Sequence, residues 1–250
     1  MGHLDRIKKG EGRLSNVWGR VRMFKNWYKL VFPFNRIFTG VQKLRLRNGK
    51  SAYVRSVRSM DLNIVRDVLG SEEYQLDYIR LPENAVVVDL GGNIGTFSME
   101  IHRQFPTAQL IAYDPFPSNV AMFKLNAPFA TVVLKAAGAK TGTLRFEDGN
   151  NFVGLRVIKQ GGIEVEAISL DDIIKNFDRV DLLKVDIEGS EYDVLNAASV
   201  ETFSKIQHII METHDVPGFD DLGWAENMLQ KHGFQTRWID PSGIIYGEKP

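Results

Sequence analysis

The fold is decided by residues 85–97, which read AVVVDLGGNIGTF. The continuous apolar run Ala85–Leu90 is typical of a parallel strand that is buried on both faces of a sheet. The loop Gly91–Gly95 that follows contains three glycines, which predicts a sharp turn whose bare backbone can lie close to a ligand. Apolar residues then recur at every fourth position from Phe97, so the loop is predicted to lead into a helix.

The alternation of strand and helix continues to the end of the chain. Apolar runs predict strands at 109–113, 130–134, 181–185, 206–211, 234–239 and 244–247, strand-like pieces within 142–168, and helices at 117–127, 170–177, 190–197 and 222–232. Such alternation predicts an α/β fold with a Rossmann-like, mostly parallel sheet and helices on both of its faces. The turn Asp240-Pro241-Ser242-Gly243 joins the last two strands as a hairpin, which makes the last strand antiparallel.

Residues 1–60 differ in character and are predicted to form an N-terminal extension to a main domain of residues 61–250. The first forty residues are rich in Lys, Arg and aromatic side chains, and their spacing predicts an amphipathic helix at 14–31 that ends before a proline. An Asn-Gly turn predicts a β-hairpin at 42–58, and residues 61–80 are predicted to be helical. The basic helix covers the core, forms a homodimer interface, or contacts a membrane surface or an anionic substrate, and the sequence leaves these hypotheses open.

The composition excludes several functional classes. Lys and Arg number 31, as do Asp and Glu, so the zero net charge gives no general basis for binding nucleic acid. The absence of cysteine excludes disulfides, thiol nucleophiles and cysteine-ligated zinc, and it fits the cytoplasmic location that we expect. No apolar run approaches the ~20 residues that a membrane-spanning helix needs, so no transmembrane segment is predicted.

The spacing of the glycines restricts the ligand that the loop can bind. A Walker loop ends in Gly-Lys-Ser/Thr and a dinucleotide-binding loop needs Gly-x-Gly-x-x-Gly, but the loop matches neither pattern. An acidic residue at the strand end, followed by Gly-x-x-x-Gly, suits a cofactor without a pyrophosphate. The carboxylate can bind a cationic amino-acid moiety, while the glycine backbone lies against a nucleoside. The residues predicted to bind this cofactor are Asp89, Gly91, Gly92, Asn93, Gly95 and Thr96.

The end of the second strand adds another cofactor-binding element. Asp114 lies about 20 residues after the glycine loop, the position from which an acidic side chain binds a ribose diol in Rossmann-like sites. Pro115 and Phe116 follow and can pack on an adenine ring. The structural alternative is that Asp114 and Pro115 only start a turn and cap the next helix.

Charged residues gather where two further strands end. Lys184 and Asp186 share one strand face because side chains alternate, and Glu188 would share it if the chain stayed extended. Glu212 and His214 are likewise two residues apart at the end of the next strand. Ligands bind at this edge of an open α/β sheet, so these five residues form the predicted catalytic cluster.

Several roles remain open within this cluster. His214 is a candidate general base because histidine titrates near neutrality, and Asp186 or Glu188 could serve instead. Lys184 could pair with these carboxylates or lower the pKa of an acceptor hydroxyl. Magnesium is a rival ligand for Asp186, Glu188 and Glu212, since carboxylates suit hard cations, although we predict no metal.

Two residues beside the cluster are predicted to stabilise a helix. Ser190 occupies the N-cap position, where a hydroxyl can accept a backbone hydrogen bond. Glu191 lies in the first turn, where a negative charge is favourable, and it is therefore given a mainly structural role.

These blocks resemble the FkbM family of class I methyltransferases between residues 60 and 215. The resemblance is carried by VDLGGNIGTF at 88–97, Asp114-Pro115 with Asn119, SLDD at 169–172 and DLLKVDIEGSE at 181–191. The last block is specific to the family, whereas the glycine loop indicates only the class. The resemblance implies a seven-stranded sheet, S-adenosyl-L-methionine as cofactor, and O-methylation of a hydroxyl on a sugar, glycan or polyketide-like small molecule. Family members more often carry Glu at the position of Asp114, and the shorter side chain keeps the diol-binding chemistry.

Other functions remain as alternatives. An RNA methyltransferase would use the N-terminal Lys, Arg and aromatic residues to hold phosphates and bases, but the sequence has no Asn-Pro-Pro-Tyr-like tetrapeptide. A cofactor-binding scaffold without catalysis is disfavoured by the retained charged cluster, and a dehydrogenase by the spacing of the glycine loop. The expected partner is therefore a small molecule or glycan with a hydroxyl group.

Overall fold

The computed structural model describes residues 13–31, 34–147, 157–158, 161–214, 221–240 and 243–250. Part of the predicted extension, residues 1–12, and part of the predicted closing turn, residues 241–242, lie outside the described residues. Within the described part of the chain, no helix combines the length and the apolar character that crossing a membrane requires.

The structure consists of alternating strands and helices. The strands are β1 (Gln42–Arg45), β2 (Ser51–Val54), β3 (Val86–Leu90), β4 (Gln109–Tyr113), β5 (Thr131–Val133), β6 (Ala136–Gly138), β7 (Gly142–Phe146), β8 (Ile163–Ser169), β9 (Val180–Val185), β10 (Ile206–Glu212), β11 (Gln235–Asp240) and β12 (Ile244–Glu248). The helices are α1 (Arg13–Met23), α2 (Asp61–Ile64, continued as a π-helix Val65–Gly70), α3 (Thr96–Gln104), α4 (Pro117–Asn126), α5 (Leu170–Ile174), α6 (Glu191–Ala197), α7 (Val200–Lys205) and α8 (Asp221–Lys231). Short 3₁₀ turns occur at Trp27–Leu30, Phe34–Arg36 and Leu76–Tyr78.

The central sheet has seven strands in the order β11-β12-β10-β9-β3-β4-β5. All neighbouring pairs from β10 to β5 are parallel, whereas β12 is antiparallel to both β10 and β11. The predicted Rossmann-like sheet with an antiparallel last strand is therefore confirmed. The strand order changes direction between β3 and β9, and open α/β sheets bind ligands at such a switch point.

The two faces of the sheet are covered by separate hydrophobic clusters. On β3, Val87 packs with Phe97 in one cluster, whereas Val88 packs with Leu183 and Val185 in the other. Strand β9 is buried along its whole length, as expected for a parallel strand that is covered on both faces. This rigid core fixes the strand ends that carry the predicted site.

The described part of residues 1–60 contains a helix and a hairpin, and the helix ends earlier than predicted. Helix α1 ends at Met23, and the next residue, Phe24, forms an antiparallel bridge with Leu46. The Lys25 N–H donates to the Arg45 carbonyl at 2.7 Å, so the backbone joins the hairpin edge instead of continuing the helix. Tertiary hydrogen bonds therefore override the helical spacing of the apolar residues.

The hairpin and the main sheet share one hydrophobic cluster. Leu44 on β1 and Val54 on β2 are fully buried in the cluster that contains Val87 and Phe97. On the outside, Trp18 on α1 is 63% exposed. The hypotheses that this segment contacts a membrane surface, an anionic substrate or a second copy of the chain stay predictions.

Smaller differences from the prediction have local causes. The predicted helix at 61–80 ends at Gly70, where the Ser71 N–H donates to the Arg66 carbonyl at 2.8 Å and closes a π-turn, and only the short 3₁₀ turn Leu76–Tyr78 follows. Sequence patterns do not predict β6 or α7, because both are too short to show a hydrophobic period. Strand β6 joins β8 and β7 in a separate three-stranded sheet, which forms one side of the site described below.

Candidate active site

A cleft opens at the carboxyl ends of β3, β4 and β9. It encloses about 580 Å³ of empty space, a figure that includes the open solvent at its mouth. It is lined by Gly91, Asn93, Tyr113, Asp114, Pro115, Phe116, Asn119, Ala136, Ala137, Phe146, Asp186, Ile187, Glu188 and Ser190. One cleft thus brings together the glycine loop, the end of the second strand of the main domain and part of the charged cluster.

The glycine loop lies directly against the backbone of β9. Gly91 has a φ of +87°, and a Cβ atom there would lie 1.8 Å from the Asp186 carbonyl oxygen. The Cβ of a residue replacing Gly92 would lie 2.9 Å from the Ala112 Cβ. The N–H groups of Gly91 and Gly92 both donate to the Tyr113 carbonyl at 3.0 Å. Glycine is therefore required for the loop to fit between β4 and the end of β9.

Asp114 is buried at the cleft and is held by three donors. Its Oδ2 accepts hydrogen bonds from the Asn93 N–H at 2.9 Å and from the Asn119 amide at 3.1 Å. Its Oδ1 accepts from the Phe116 N–H at 2.9 Å, which is the turn-starting bond of the structural alternative. Burial raises the pKa of Asp114 to about 6, although the hydrogen bonds oppose this rise. The carboxylate is thus ionised at neutral pH, and Oδ1 retains capacity for a further donor.

The predicted cofactor-binding residues fall into two groups. Gly91, Asn93, Asp114, Pro115 and Phe116 line the cleft, whereas Asp89, Gly92, Gly95 and Thr96 do not. Asp89 is 1% exposed and pairs with Lys184, so its contact with a cationic ligand group stays a prediction.

One wall of the cleft is not predicted by the sequence. Ala136 and Ala137 on β6 and Phe146 on β7 line it, and Phe146 packs edge-on against Phe116 with ring centroids 5.4 Å apart. The only signal for Phe146 is its place in a strand-like piece, which does not indicate the face that it occupies. The aromatic pair gives the cleft an apolar surface next to Asp114.

Lys184 is buried beneath the cleft between two carboxylates. Its Nζ lies 3.1 Å from Asp89 Oδ1 and 3.2 Å from Asp186 Oδ2, and it donates to the Gly91 carbonyl at 2.8 Å. Burial alone would lower the pKa of Lys184, but the charges of Asp186 and Asp89 raise it above its ordinary value. Of the two open roles, the geometry therefore favours pairing: Lys184 fixes the loop and Asp186 as a permanent cation.

Asp186 faces the cleft and is ionised at neutral pH. Its Oδ2 accepts a hydrogen bond from the buried Tyr74 hydroxyl at 3.3 Å, and its Oδ1 lies 3.9 Å from His214 Nε2. Burial alone would raise the pKa of Asp186, but Lys184 and His214 lower it below its ordinary value. The side chain is still 23% exposed, so it can contact a ligand in the cleft.

His214 is a cation in this site, which corrects the expectation that it titrates near neutrality. Its Nδ1 lies 2.9 Å from Oε1 of Glu191, a fully buried carboxylate that also accepts from the Ile187 N–H at 2.9 Å. Burial alone would lower the pKa of His214, but Glu191, Asp186 and Glu188 raise it to about 10. A protonated imidazole has only donors, so His214 at neutral pH cannot accept a proton.

Two further carboxylates approach His214. Glu188 does not continue the strand: it has a φ of +58° and is followed by Gly189 at +96°, so the chain turns at the cleft. Its Oε2 nevertheless lies 3.4 Å from His214 Nε2, and Glu212 Oε1 lies 4.0 Å from the same atom. Burial and the charge of Asp186 raise the pKa of Glu212 well above its ordinary value. The predicted cluster is thus one connected group of charges around His214.

Comparison with known proteins identifies the family to which this site belongs. A family model described as "Methyltransferase FkbM domain" matches residues 89–236, which is more than half of the chain. The chain belongs to the FkbM methyltransferase family. The matched range holds both the glycine loop and the charged cluster, and the resemblance inferred from the sequence motifs is confirmed.

Two relatives of this FkbM-family chain carry methyltransferase names. The "31-O-demethyl-FK506 methyltransferase FkbM" of Streptomyces tacrolimicus is 27% identical over 236 aligned residues, covering 78% of this chain and 89% of that protein. The "Methyltransferase 1" of Beauveria bassiana is 25% identical over 242 residues, covering 82% of this chain and 96% of that protein.

Solved methyltransferase structures resemble this FkbM-family chain more distantly. A TehB-like SAM-dependent methyltransferase from Corynebacterium glutamicum has a TM-score of 0.46 at 12% identity, over 76% of this chain and 96% of that chain. Aeropyrum pernix fibrillarin, in complex with natively bound S-adenosyl-L-methionine, has a TM-score of 0.45 at 12% identity, over 84% of this chain and 94% of that chain.

Two residues of this FkbM-family site have roles that sequence reasoning missed. Tyr74 is 112 residues from its partner Asp186 and gives no local signal. Glu191 starts α6 as predicted, but it also binds His214 and the loop before the helix. Ser190, by contrast, makes no capping hydrogen bond with its side chain, and its φ of −93° and ψ of 0° differ from the extended backbone that is usual at an N-cap.

The cluster also offers donor atoms to a metal ion. Asp186, Glu212 and His214 each provide one atom within 4.8 Å of the others. A divalent cation there would require His214 to lose the proton that its neighbours hold with a pKa of about 10. Because the imidazolium already balances negative charge on these carboxylates, we continue to predict a site without a metal. Magnesium binding remains the rival hypothesis.

Proposed function

We propose that this FkbM-family protein transfers the methyl group of S-adenosyl-L-methionine to a hydroxyl of a small molecule of the sugar, glycan or polyketide-like class. The observation that carries the proposal is a single cleft lined by both Asp114 and Asp186. The first carboxylate suits a ribose diol, and the second suits the hydroxyl that accepts the methyl group.

The chemistry of the cleft fits the nucleoside part of this cofactor. Asn93 Oδ1 is buried and has no hydrogen-bond partner among the described residues, so a donor on a ligand would satisfy it. Asp114 Oδ1 can accept from a ribose hydroxyl, and Phe116 and Phe146 offer an apolar wall to an adenine ring. These residues would hold the nucleoside part of the cofactor in the cleft that Asp186 also lines.

The proposed reaction requires one proton acceptor beside the acceptor hydroxyl. When bound, the cofactor supplies a methyl group on a positively charged sulfur, and the C–S bond breaks as the new O–C bond forms. The hydroxyl proton becomes strongly acidic as that bond forms, so a weak base is sufficient to remove it. We assign this base to Asp186, which is ionised, faces the cleft and is held by Lys184 and Tyr74.

The other residues of the cluster keep Asp186 ionised and can position the acceptor. Lys184 and His214 are cations, and they keep Asp186 ionised before the proton arrives. His214 also lies beside Glu188, which lines the cleft and can hydrogen-bond a polar acceptor. In this proposal His214 is an electrostatic residue, and the general-base role that its residue type suggests passes to Asp186.

An oxygen acceptor is supported by the name of the Streptomyces tacrolimicus relative, which specifies a 31-O-demethyl substrate. The connected charged cluster also supports catalysis over a silent scaffold. Among the described residues, we find no feature of the cleft that favours RNA over a small molecule.

The test combines binding and turnover. Calorimetry on the purified chain should show binding of S-adenosylmethionine and S-adenosylhomocysteine, and a screen of sugars, glycans and polyketide-like alcohols should release S-adenosylhomocysteine. The proposal is refuted if the protein binds neither ligand at millimolar concentration. Binding without turnover on any acceptor would indicate the scaffold, and turnover on RNA with a steep salt dependence of RNA affinity would indicate the RNA enzyme.

A further inference from the structure

Helix α4 carries two buried asparagines that link the N-terminal hairpin to the cleft. Asn119 and Asn126 are seven residues apart, close to two helical turns, so their side chains share one face of the helix. Both side chains are buried, and their amide groups therefore need partners inside the protein. These partners come from strand β2 and its following residue on one side, and from the cleft on the other.

Asn126 joins β2 to the glycine loop. Its Oδ1 accepts from the Tyr53 N–H at 2.7 Å, and its Nδ2 donates to the Tyr53 carbonyl at 3.0 Å. The same Nδ2 donates to the Ile94 carbonyl of the glycine loop at 2.8 Å. One amide thus satisfies three backbone groups of two separate segments, and its loss would leave them unpaired.

Asn119 connects Asp114 to Arg55. Its Nδ2 donates to Asp114 Oδ2 at 3.1 Å, and its Oδ1 accepts from Arg55 Nη1 at 2.8 Å. The partners fix the orientation of the amide, since an ionised carboxylate only accepts and a guanidinium only donates. Arg55 therefore determines which way Asn119 presents its donor to Asp114.

Arg55 is itself held by a buried carboxylate. Its Nη2 lies 2.5 Å from Asp61 Oδ1, and its Nε lies 3.1 Å from Asp61 Oδ2. The N–H of Arg55 also donates to Asp61 Oδ2 at 2.7 Å, and Asp61 is fully buried. A planar guanidinium can bind this carboxylate along one edge and Asn119 with another nitrogen, whereas the single ammonium of lysine cannot span both.

We propose that Arg55 is a positioning residue of the cofactor site, which acts through Asn119 to aim the Asp114 carboxylate at the ribose of the cofactor. The inference rests on the proposed function, because it assumes that Asp114 binds the ribose diol. Under this proposal the hairpin also contributes to the cofactor site, although it precedes residues 89–236, the range that the family model matches.

The test measures recognition of the ribose, which a merely structural role would not change. Calorimetry compares S-adenosylhomocysteine with its 2′,3′-dideoxyribose analogue on wild-type protein, Arg55→Lys and the control Arg58→Lys, whose side chain is exposed. Wild type and the control should prefer the natural ligand by about tenfold or more, since hydrogen bonds to a charged group are lost in the analogue. In Arg55→Lys, the affinity for the natural ligand should fall by about tenfold and the affinity for the analogue by less than about twofold.

Equal loss for both ligands, or no loss for either, would overturn the inference. If Arg55→Lys does not fold, as judged by circular dichroism, Asn119→Ala breaks the same connection while leaving the pair of Arg55 and Asp61 intact. Retention of the full ribose preference in Asn119→Ala would likewise overturn it. Failure of the wild-type protein to bind S-adenosylhomocysteine is a different outcome, and it contradicts the proposed function itself.

Discussion

Glu191 and His214 form a hydrogen bond in which Oε1 and Nδ1 lie 2.9 Å apart. Glu191 is the fully buried first residue of α6, and His214 follows the end of β10. The bond leaves His214 Nε2 near Glu188 at 3.4 Å and Asp186 at 3.9 Å. A buried anion thus keeps the imidazole charged at the edge of the cluster, and the first prediction tests this relationship.

The Glu191→Gln variant should lower the pKa of His214 from its value of about 10. Glutamine keeps an oxygen for the Ile187 N–H but removes the charge that stabilises the imidazolium, so we expect a fall of at least about one pH unit. The measurement is an NMR titration of the His214 ring. Asp193→Asn changes an exposed carboxyl group on the same helix and should leave the titration unchanged. If the pKa of His214 is identical in Glu191→Gln and wild type, Glu191 does not raise the pKa of His214.

The same pKa shift predicts a pH dependence of stability. Because the folded-state pKa of His214 is raised, its cation stabilises the fold fully below the unfolded value of about 6.5, and this contribution disappears as the pH rises through about 10. The difference in free energy of unfolding between wild type and Glu191→Gln should therefore shrink across that range, as measured by urea denaturation.

The Asp186→Asn variant should separate turnover from cofactor binding. Asparagine keeps the shape and can accept from the Tyr74 hydroxyl, while Lys184 retains Asp89 as a partner. Without a base, we expect kcat to fall by about 10²–10⁴-fold, with the Kd for S-adenosylhomocysteine changed by less than about tenfold. Asp178→Asn replaces an exposed carboxylate and serves as the control. Normal turnover in Asp186→Asn would remove this residue from the proposed mechanism.

Cofactor binding should weaken in acid because of Asp114. Burial raises the pKa of this carboxyl group to about 6, and only the ionised form can accept a ribose hydroxyl in addition to its three protein donors. Affinity for S-adenosylhomocysteine should be constant above about pH 7 and should fall as the pH decreases through about 6. Calorimetry between about pH 5 and 8 measures this profile. Asp114→Asn should bind weakly at every pH with a flat profile, and a flat wild-type profile would exclude Asp114 as the titrating group.

Much of the fold can be predicted from the sequence because its signals are local. The apolar runs that form β3 and β9 each indicate a buried strand without information from the rest of the chain. The glycines at 91 and 95 indicate a loop that needs positive φ angles. The charged cluster is also predictable, since parallel strands that end in charged residues bring those residues to one edge of the sheet.

The missed features of the site depend on contacts between distant segments. The partners Tyr74 and Asp186 are 112 residues apart, and Glu191 and His214 are 23 residues apart, so no local pattern relates them. The raised pKa of His214 is not visible in the sequence for the same reason, because the ordinary value applies to a solvated imidazole and not to one surrounded by carboxylates. The spacing of apolar residues likewise cannot show that the backbone at Phe24 pairs with the hairpin.

Chelation should leave turnover unchanged, because the proton on His214 supplies the positive charge in the place where a metal would bind. A divalent ion between Asp186, Glu212 and His214 would have to displace a proton held with a pKa of about 10. We expect kcat in EDTA to stay within about twofold of the untreated value, and added magnesium to have no effect. Loss of activity in EDTA that magnesium restores, with S-adenosylhomocysteine binding intact, would establish the rival magnesium hypothesis.

Gly91 should not tolerate even one added methyl group. Its φ is +87°, and a Cβ atom would lie 1.8 Å from the Asp186 carbonyl oxygen, which cannot move without shifting the proposed base. Gly91→Ala should therefore lower the free energy of unfolding by ~2–5 kcal/mol and abolish S-adenosylhomocysteine binding. Gly233 is the matched control, because its φ is +86° but no atom lies within 4 Å of an added Cβ. Gly233→Ala carries only the ~1–2 kcal/mol cost of the left-handed conformation and should keep binding. Equal losses of stability in urea denaturation would mean that contact with the Asp186 backbone does not constrain the loop.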